Sequence, residues 1–266
     1  MMIPRVIHQT WKDDRLPPQY ATLADTWRRA HPEWAWRLWT DADNLRLVEQ
    51  EFPSLLGLYL DYPYPIQRVD LIRYLILYRY GGLYVDLDFE CFKDITPLLD
   101  GRHCVLSEEA AVHNAVHCTH RIISNAFMAA EPGHLLFAAV MEDLQHHRSR
   151  QRVPDRIVLD TTGPMMLTRV VERLGADAQV TVLNAANLFP LSMGEADRLR
   201  STAPGSAPNS APSAAIRARL NQAYGMHWHD GSWWRPNPGA PVVRPPRWRL
   251  DGVRRWMAAI TGSGSR

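Results

Sequence analysis

Two aspartates separated by one residue carry the strongest chemical signal in this sequence. In LYVDLDFE, Asp86 and Asp88 alternate with apolar residues, and this period of two predicts a strand over Leu83–Phe89 with both carboxylates on one face. Two carboxylates this close repel each other unless a cation or a proton lies between them, and oxygen ligands suit Mg²⁺ or Mn²⁺. A solvated, inert aspartate pair at a strand end has the same spacing, so the motif must be interpreted in its context.

Asp70 and Arg73 supply that context. They lie three residues apart in RVDLIRYLILYRYGG, where the apolar spacing predicts a helix over Pro65–Tyr80 that stops at Gly81-Gly82. On an exposed helix such a pair is a surface salt bridge worth about 0.3 kcal/mol. This helix is apolar almost all round, which predicts burial, and buried charges need partners such as each other or the hydroxyls of a sugar.

A second polar and aromatic segment, YGMHWHDGSWW at residues 224–234, is far from the aspartates in sequence. His227 and His229 are two apart, so a shared strand face allows either one to be a metal ligand. The chain has ten tryptophans, most of which are expected to be packing groups. Trp11 and Trp233 are candidates to stack on a ligand because of their neighbours in the sequence.

Five motifs together resemble a known family. They are IPRVIHQTW, PEWAWRLWTD, VDLIRYLILYRYGGLYVDLDFE, TTGP and MHWHDGSW, and they run from residue 3 to about residue 234. They resemble the DXD-containing glycosyltransferase family 32, which includes fungal Och1-type and inositol-phosphoceramide mannosyltransferases, and are distantly similar to the glucosyltransferase domain of clostridial toxins. The resemblance implies a GT-A type α/β fold, a nucleotide-sugar donor, a divalent cation and retention of anomeric configuration.

The resemblance also implies roles for individual side chains. The residues expected to be catalytic are Asp70, Arg73, Asp86, Asp88 and Asn125. The residues expected to bind the donor are Trp11, on the nucleobase, with Asp70, Arg73, Asp86, Asn125, Ser232 and Trp233. The expected metal ligands are Asp88 and His227, and His227 is preferred over His229 because its distance to GSW matches the family pattern.

The predicted reaction moves a hexose from a UDP- or GDP-sugar to a glycan or glycolipid acceptor, as in polysaccharide or glycolipid biosynthesis. Mn²⁺ or Mg²⁺ would stabilise the charge that develops on the departing diphosphate. The sequence offers no convincing free nucleophile for a double displacement, so front-face attack is the predicted route to retention.

Two other classes of protein share parts of this pattern. Phosphotransferases of the haloacid-dehalogenase type carry DxD after a strand, but they require Thr or Val where this chain has Glu90. They also require a later acidic pair, and this chain has no later Asp-Asp. A non-catalytic sugar-binding module would need neither the two carboxylates nor the distant HWHDGSW segment. Hydrolysis of the donor by water is expected only as a side reaction.

Apolar spacing and capping residues predict the elements that position these side chains. The predicted strands are 3–9, 34–39, 83–89 and 180–183, and the predicted helices are 17–30, 42–51, 65–80, 134–148 and 164–174. Alternating strands and helices predict a mostly parallel sheet, in which ligands bind at the carboxyl ends of the strands. Residues 1–240 are expected to form one GT-A domain, interrupted by a flexible Ser/Pro/Ala-rich segment at 201–215.

Composition narrows the expected partners and location. A net charge of +2 over 266 residues gives no reason to expect nucleic acid, and three cysteines without metal-ligand spacing favour a reducing compartment. No leader peptide and no apolar run of membrane-spanning length are present, so a cytoplasmic enzyme is expected. The basic, Trp-rich tail at 241–266 predicts either a docked helix or peripheral contact with an anionic membrane surface.

Overall fold

The computed structural model describes residues 2–201 and 213–231, which form a six-stranded sheet, a two-stranded sheet and the helices around them. The strands are β1 (Val6–Thr10), β2 (Ala35–Trp39), β3 (Gly82–Val85), β4 (Phe89–Cys91), β5 (Cys104–Glu108), β6 (Ile123–Ala130), β7 (Val180–Leu183) and β8 (Gly225–His227). The helices are α1 (Pro18–Ala30), α2 (Asp41–Glu51), α3 (Leu56–Asp61), α4 (Pro65–Tyr80), α5 (Thr96–Leu99), α6 (Ala111–Val116), α7 (Leu135–His146), α8 (Pro154–Thr161), α9 (Pro164–Leu174), α10 (Met193–Ser201) and α11 (Ala214–Gln222). The predicted α/β class is confirmed.

The large sheet has the strand order β2-β1-β3-β6-β5-β7. Strand β1 is parallel to β2 and β3, and β5 is parallel to β7, whereas β6 is antiparallel to both β3 and β5. Five of these six strands therefore run in one direction, and the predicted mostly parallel sheet is confirmed. Because β6 is reversed, its first residues lie at the edge of the sheet where β1, β3 and β5 end.

Helix α4 is central to the larger hydrophobic core. Pro65 begins it, since a proline in the first turn loses no helical hydrogen bond, and residues 70–77 are all buried. The helix stops at Gly81, whose φ of +64° is the left-handed conformation predicted for this position. The chain then enters β3 so close to β1 that a Cβ on Gly82 would lie 2.5 Å from Val6 Cγ1.

Most predicted elements are present with ends that differ by a few residues, but the strand predicted over Leu83–Phe89 is wrong. Strand β3 ends at Val85, and residues 86–88 form a turn in which the Phe89 amide donates to the Asp86 carbonyl (3.2 Å). Strand β4 then leaves the large sheet and pairs with β8. The two aspartates of the motif therefore converge through a turn and not through a shared strand face.

The two-stranded sheet links the two chemically rich segments. Phe89 of β4 lies opposite His227 of β8, so the C-terminal segment is brought against the turn at residues 86–88. Strand β6 was absent from the prediction because its eight residues are all buried and show no alternation of polarity. Strand β5 and helices α3, α5, α6, α8, α10 and α11 were also not predicted.

The predicted flexible segment and tail lie mostly or wholly outside the described residues. The segment at 201–215, the domain end at residue 240 and the tail at 241–266 therefore stay predictions. Among the helices within 2–201 and 213–231, none has both the length and the hydropathy of a membrane span.

Candidate active site

A cavity of about 710 Å³ lies at the edge of the large sheet where β1, β3 and β5 end. Its wall includes Trp11 after β1, Asp86 and Asp88 after β3, and Glu109 after β5. Asn125, near the start of β6, also lines it because that strand is reversed. This is the edge at which ligands bind in α/β sheets, as the sequence predicts.

Asp86, Asp88 and His227 form a group that can hold a metal ion. One ligand atom from each side chain lies within 4.8 Å of the others. His227 Nε2 is 3.0 Å from Asp88 Oδ1, and the Asp230 amide donates to Asp88 Oδ2 (2.9 Å). His227 Nδ1 is buried and has no hydrogen-bond partner among the described residues. Two carboxylates and one imidazole fit a divalent cation such as Mn²⁺ or Mg²⁺.

The two carboxylates of this group differ in their electrostatics. Burial raises the pKa of Asp86, although Arg73 opposes it. Burial also acts to raise the pKa of Asp88, but His227 and the Asp230 amide together hold that pKa below its ordinary value. Burial acts to lower the pKa of His227, but Asp88, Asp86 and Glu109 together outweigh burial and raise it. Asp88 is therefore the carboxylate that ionises more readily, as a metal ligand must.

A buried polar network on α4 adjoins the metal group. Arg73 Nη2 is 3.2 Å from Asp70 Oδ1. Arg73 Nη1 is 3.4 Å from Asp86 Oδ2 and also donates to the backbone carbonyl of Asn125 (2.8 Å). The side-chain amide of Asn125 donates through Nδ2 to Asp70 Oδ1 (3.0 Å). Burial raises the pKa of Asp70 to about 6, against the attraction of Arg73. The predicted burial of the Asp70–Arg73 pair is confirmed, and the structure joins four predicted site residues in one network.

Trp11 lies on the cavity wall directly after β1. Its amide donates to the Trp39 carbonyl (2.9 Å), which extends the pairing of β1 with β2 by one residue. Its ring packs against Tyr20 with centroids 5.1 Å apart, and its Nε1 is buried with no hydrogen-bond partner among the described residues. An aromatic group with an available donor suits a nucleobase or a sugar.

The C-terminal part of the predicted site is described as far as Gly231. Ser232 and Trp233 lie outside the described residues, so their roles stay predictions. His229 also lines the cavity, and its ring centroid is 4.2 Å from that of His227. However, β8 ends at His227, and His229 lies beyond the strand with a φ of +53°. The strand face considered for the two histidines is therefore wrong, and the preferred His227 is the one in the metal group.

A second carboxylate–imidazole pair in the cavity wall was missed by sequence reasoning. Glu109 directly follows β5, and its Oε2 is 2.8 Å from His113 Nδ1 on α6. Burial acts to raise the pKa of Glu109, but His113 brings it below the ordinary value, so Glu109 is an anion. Polar residues at the ends of strands are candidates for a site. Because β5 was not predicted, Glu109 could not be recognised as such a residue.

Two hydroxyl groups that hold the site carboxylates were also missed. The Tyr84 hydroxyl donates to Asp86 Oδ1 (2.9 Å), and the Thr162 hydroxyl donates to Asp70 Oδ2 (2.8 Å). Both residues belong to the quoted motifs VDLIRYLILYRYGGLYVDLDFE and TTGP, so membership of these motifs is the signal that could have identified them. Their hydrogen bonds fix each carboxylate in one orientation.

Comparison with known proteins assigns this region to a family. Residues 17–105 match the family described as glycosyltransferase sugar-binding region containing DXD motif. Over 169 residues the chain is 34% identical to a mannosyl phosphorylinositol ceramide synthase of Saccharomyces cerevisiae, covering 64% of this chain and 42% of the relative. It is 33% identical over 169 residues to inositol phosphoceramide mannosyltransferase 1 of Schizosaccharomyces pombe, covering 62% and 50%. The chain thus spans half or less of the length of these relatives.

A solved structure that aligns with this chain is PaToxG glycosyltransferase, with a TM-score of 0.48, 16% identity and coverage of 84% of this chain and 85% of the other. The sheet of this chain and the paired carboxylates at its edge define an α/β protein with a DXD site. Within that class, residues 17–105 match the DXD-containing glycosyltransferase family, and the resemblance predicted from the sequence is confirmed.

Proposed function

We propose that this protein is a metal-dependent, retaining glycosyltransferase of the GT-A type that moves a hexose from a UDP- or GDP-sugar to a glycan or glycolipid acceptor. The observation that carries the proposal is the metal group at Asp86, Asp88 and His227 beside the buried Asp70–Arg73 pair on one cavity wall. A cation site next to a hydrogen-bonding, charged surface offers ligands for both the diphosphate and the sugar of a donor.

Each side chain of the site has its own role in this proposal. A bound Mn²⁺ or Mg²⁺ would stabilise the charge that develops on the departing diphosphate, and Asp88 and His227 would hold it. Burial opposes the charged form of Arg73, but Asp86 and its neighbours raise the pKa of Arg73 overall, so it stays a cation. Arg73 Nε is buried without a hydrogen-bond partner among the described residues, which suits a donor to a sugar hydroxyl. Trp11 would stack on the nucleobase.

Front-face attack is the proposed route to retention. A double displacement needs a carboxylate free to attack the anomeric carbon. Asp70 accepts hydrogen bonds from Asn125 and Thr162, and Glu109 accepts one from His113. These bonds favour an orienting role for both carboxylates, which supports a mechanism without a covalent intermediate.

A thermal-shift screen of UDP- and GDP-hexoses with and without Mn²⁺ tests the proposal. We expect the sugars of one nucleotide to raise the melting temperature in the presence of Mn²⁺, because a ligand that binds only the folded chain stabilises it, and a chelator should abolish the shift. Free nucleosides control for binding of the base alone. Stabilisation by free hexoses without nucleotide or metal would favour a sugar-binding module and contradict the proposal.

A further inference from the structure

A basic segment that runs from the end of α7 into the first turn of α8 takes no part in the chemistry described above. Residues 146–156, HHRSRQRVPDR, contain four arginines and two histidines against one aspartate. Arg148, Arg150 and Arg152 are exposed. In a chain whose net charge is only +2, this is a strong local concentration of positive charge.

Hydrogen bonds hold this segment against a helix that lines the cavity. The Ser149 hydroxyl donates to Asp160 Oδ2 (2.5 Å), and His147 Nε2 lies 3.4 Å from the same oxygen. Asp160 belongs to α8, whose residues Asp155 and Leu159 line the cavity. The segment therefore lies at the rim of the candidate active site.

Nearby acidic groups do not neutralise the exposed arginines. Asp160 is 3.0 Å from Arg169, and Asp143 is 2.8 Å from the same arginine. Arg148 donates to two backbone carbonyls instead of to a carboxylate. The arginines at 148, 150 and 152 thus present their charge to solvent.

Apolar side chains are exposed at the same rim. Val153, in the basic segment, is 39% exposed, and Leu60, at the end of α3, is 51% exposed while also lining the cavity. Ile66, Val69 and Leu159 continue the apolar wall inward. Exposed apolar tips among arginines match a lipid surface, where the cations meet headgroups and the apolar tips reach the acyl boundary. A nucleic acid would match the charge only.

We propose that Arg148, Arg150, Arg152, Val153 and Leu60 form a docking rim for an anionic lipid surface. Arginines close to an anionic leaflet are attracted over a Debye length, and the apolar side chains then enter the interface. A docked chain would turn the mouth of the cavity toward the bilayer. Delivery of a lipid-borne acceptor to that mouth rests on the proposed function, whereas docking itself requires no sugar transfer.

Sedimentation of the full chain with vesicles tests the docking rim. We expect the partition coefficient on phosphatidylserine-containing vesicles to exceed that on pure phosphatidylcholine vesicles by at least about tenfold, and added salt to reduce the difference. The variant R148Q/R150Q/R152Q should lose about tenfold or more in binding to the anionic vesicles. Its donor-induced thermal shift should equal that of the unmodified chain, which separates a failure of docking from a failure of the proposed function.

A matched variant, R28Q/R29Q/R79Q, removes the same charge outside the basic segment and the cavity wall. Arg28 and Arg29 lie in the last turn of α1, and Arg79 lies about 20 Å along α4 from Ile66. Vesicle binding should survive in this variant. Equal losses in both triple variants would show a net-charge effect, and full binding by the rim variant would assign docking to another part of the chain. Either result, or RNA binding as strong as vesicle binding, would overturn the proposal.

Discussion

At the scale of single residues, the two aspartates of the motif share a spacing but not an environment. Asp88 faces His227 and the Asp230 amide, and its pKa lies below the ordinary value. Asp86 accepts from the Tyr84 hydroxyl and lies 3.4 Å from Arg73, and burial raises its pKa. Asp88 is thus suited to a cation, while Asp86 connects the cation site to the buried network of Arg73, Asp70 and Asn125.

The substitution Asp88→Asn tests the cation site. Asparagine keeps the shape and an acceptor for the Asp230 amide but removes the negative charge, so we expect Mn²⁺-dependent donor binding to be lost and turnover to fall by about 100-fold or more. Calorimetric titration with Mn²⁺ and donor measures the first effect, and the melting temperature checks the fold. Asp25→Asn, at a half-buried position on α1 outside the cavity wall, is the control and should change neither donor binding nor turnover. Unmodified turnover in the Asp88 variant would remove the motif from the mechanism.

Substitutions of Trp11 separate stacking from hydrogen bonding. Trp11→Ala should weaken nucleotide binding by about 1–3 kcal/mol, the range found for bases stacked on aromatic side chains. Trp11→Phe keeps a ring but loses the buried Nε1 donor, so we expect a smaller loss. Trp34→Ala, which removes a tryptophan packed on His31, should leave affinity unchanged. If UDP and GDP bind the Trp11→Ala variant as tightly as the unmodified chain, the ring lies outside the binding site.

At the scale of elements, the junction of α4, β1 and β3 depends on a glycine. Gly82 has a φ of +91°, and an added Cβ would lie 2.6 Å from the Val6 carbonyl oxygen. Gly82→Ala should therefore lower the free energy of unfolding by about 2–4 kcal/mol, as measured by urea denaturation. Gly57→Ala is the matched control because nothing lies within 4 Å of its Cβ, and it should stabilise α3 by up to about 1 kcal/mol. Similar small effects at both positions would contradict the close approach.

The same junction contains a histidine that is expected to make stability depend on pH. Trp39 Nε1 donates to His8 Nδ1 (3.1 Å), so His8 Nε2 carries the proton and donates to the Gly81 carbonyl (3.0 Å). Burial lowers the pKa of His8 to about 4. The unfolded chain binds the additional proton of the imidazolium more tightly than the folded chain does. The contribution of His8 to stability is therefore complete above the ordinary pKa of 6.5 and is lost as the pH falls toward 4.

Urea denaturation at pH 7.5 and pH 5 measures this contribution. We expect His8 to account for a loss of about 2 kcal/mol over that interval. His8→Gln should flatten the pH dependence by this amount. An identical pH dependence in the unmodified chain and the His8 variant would show that His8 can be protonated in the fold.

At the scale of the whole molecule, the candidate site joins segments that are far apart in sequence. Asp88 and His227 are separated by 139 positions and meet because β4 pairs with β8. A cation held by both side chains would cross-link these segments, so Mn²⁺ should raise the melting temperature. His227→Ala should abolish the rise and His229→Ala should reduce it much less; equal effects would contradict the assignment of His227.

This stabilisation by Mn²⁺ should also depend on pH. Asp88 raises the pKa of His227 although burial opposes it, so protons compete for the imidazole as soon as the pH falls toward neutrality. Because a metal ligand must be neutral imidazole, Mn²⁺ affinity should decline as the pH falls through the raised pKa of His227. Calorimetric titrations at several pH values measure the decline, and an affinity that is unchanged down to pH 5 would exclude His227 as a ligand.

Local spacing in the sequence was sufficient to predict α4, its stop at Gly81 and the burial of Asp70 with Arg73, since helical periodicity and a glycine stop are properties of neighbouring residues. The resemblance to the family added Asn125 and His227. Only the tertiary structure decided that the DXD motif is a turn, because β4 departs to pair with a strand more than a hundred positions later. It also decided the reversal of β6 and the place of Glu109, since strand pairing depends on distant contacts and a fully buried strand shows no alternation of polarity.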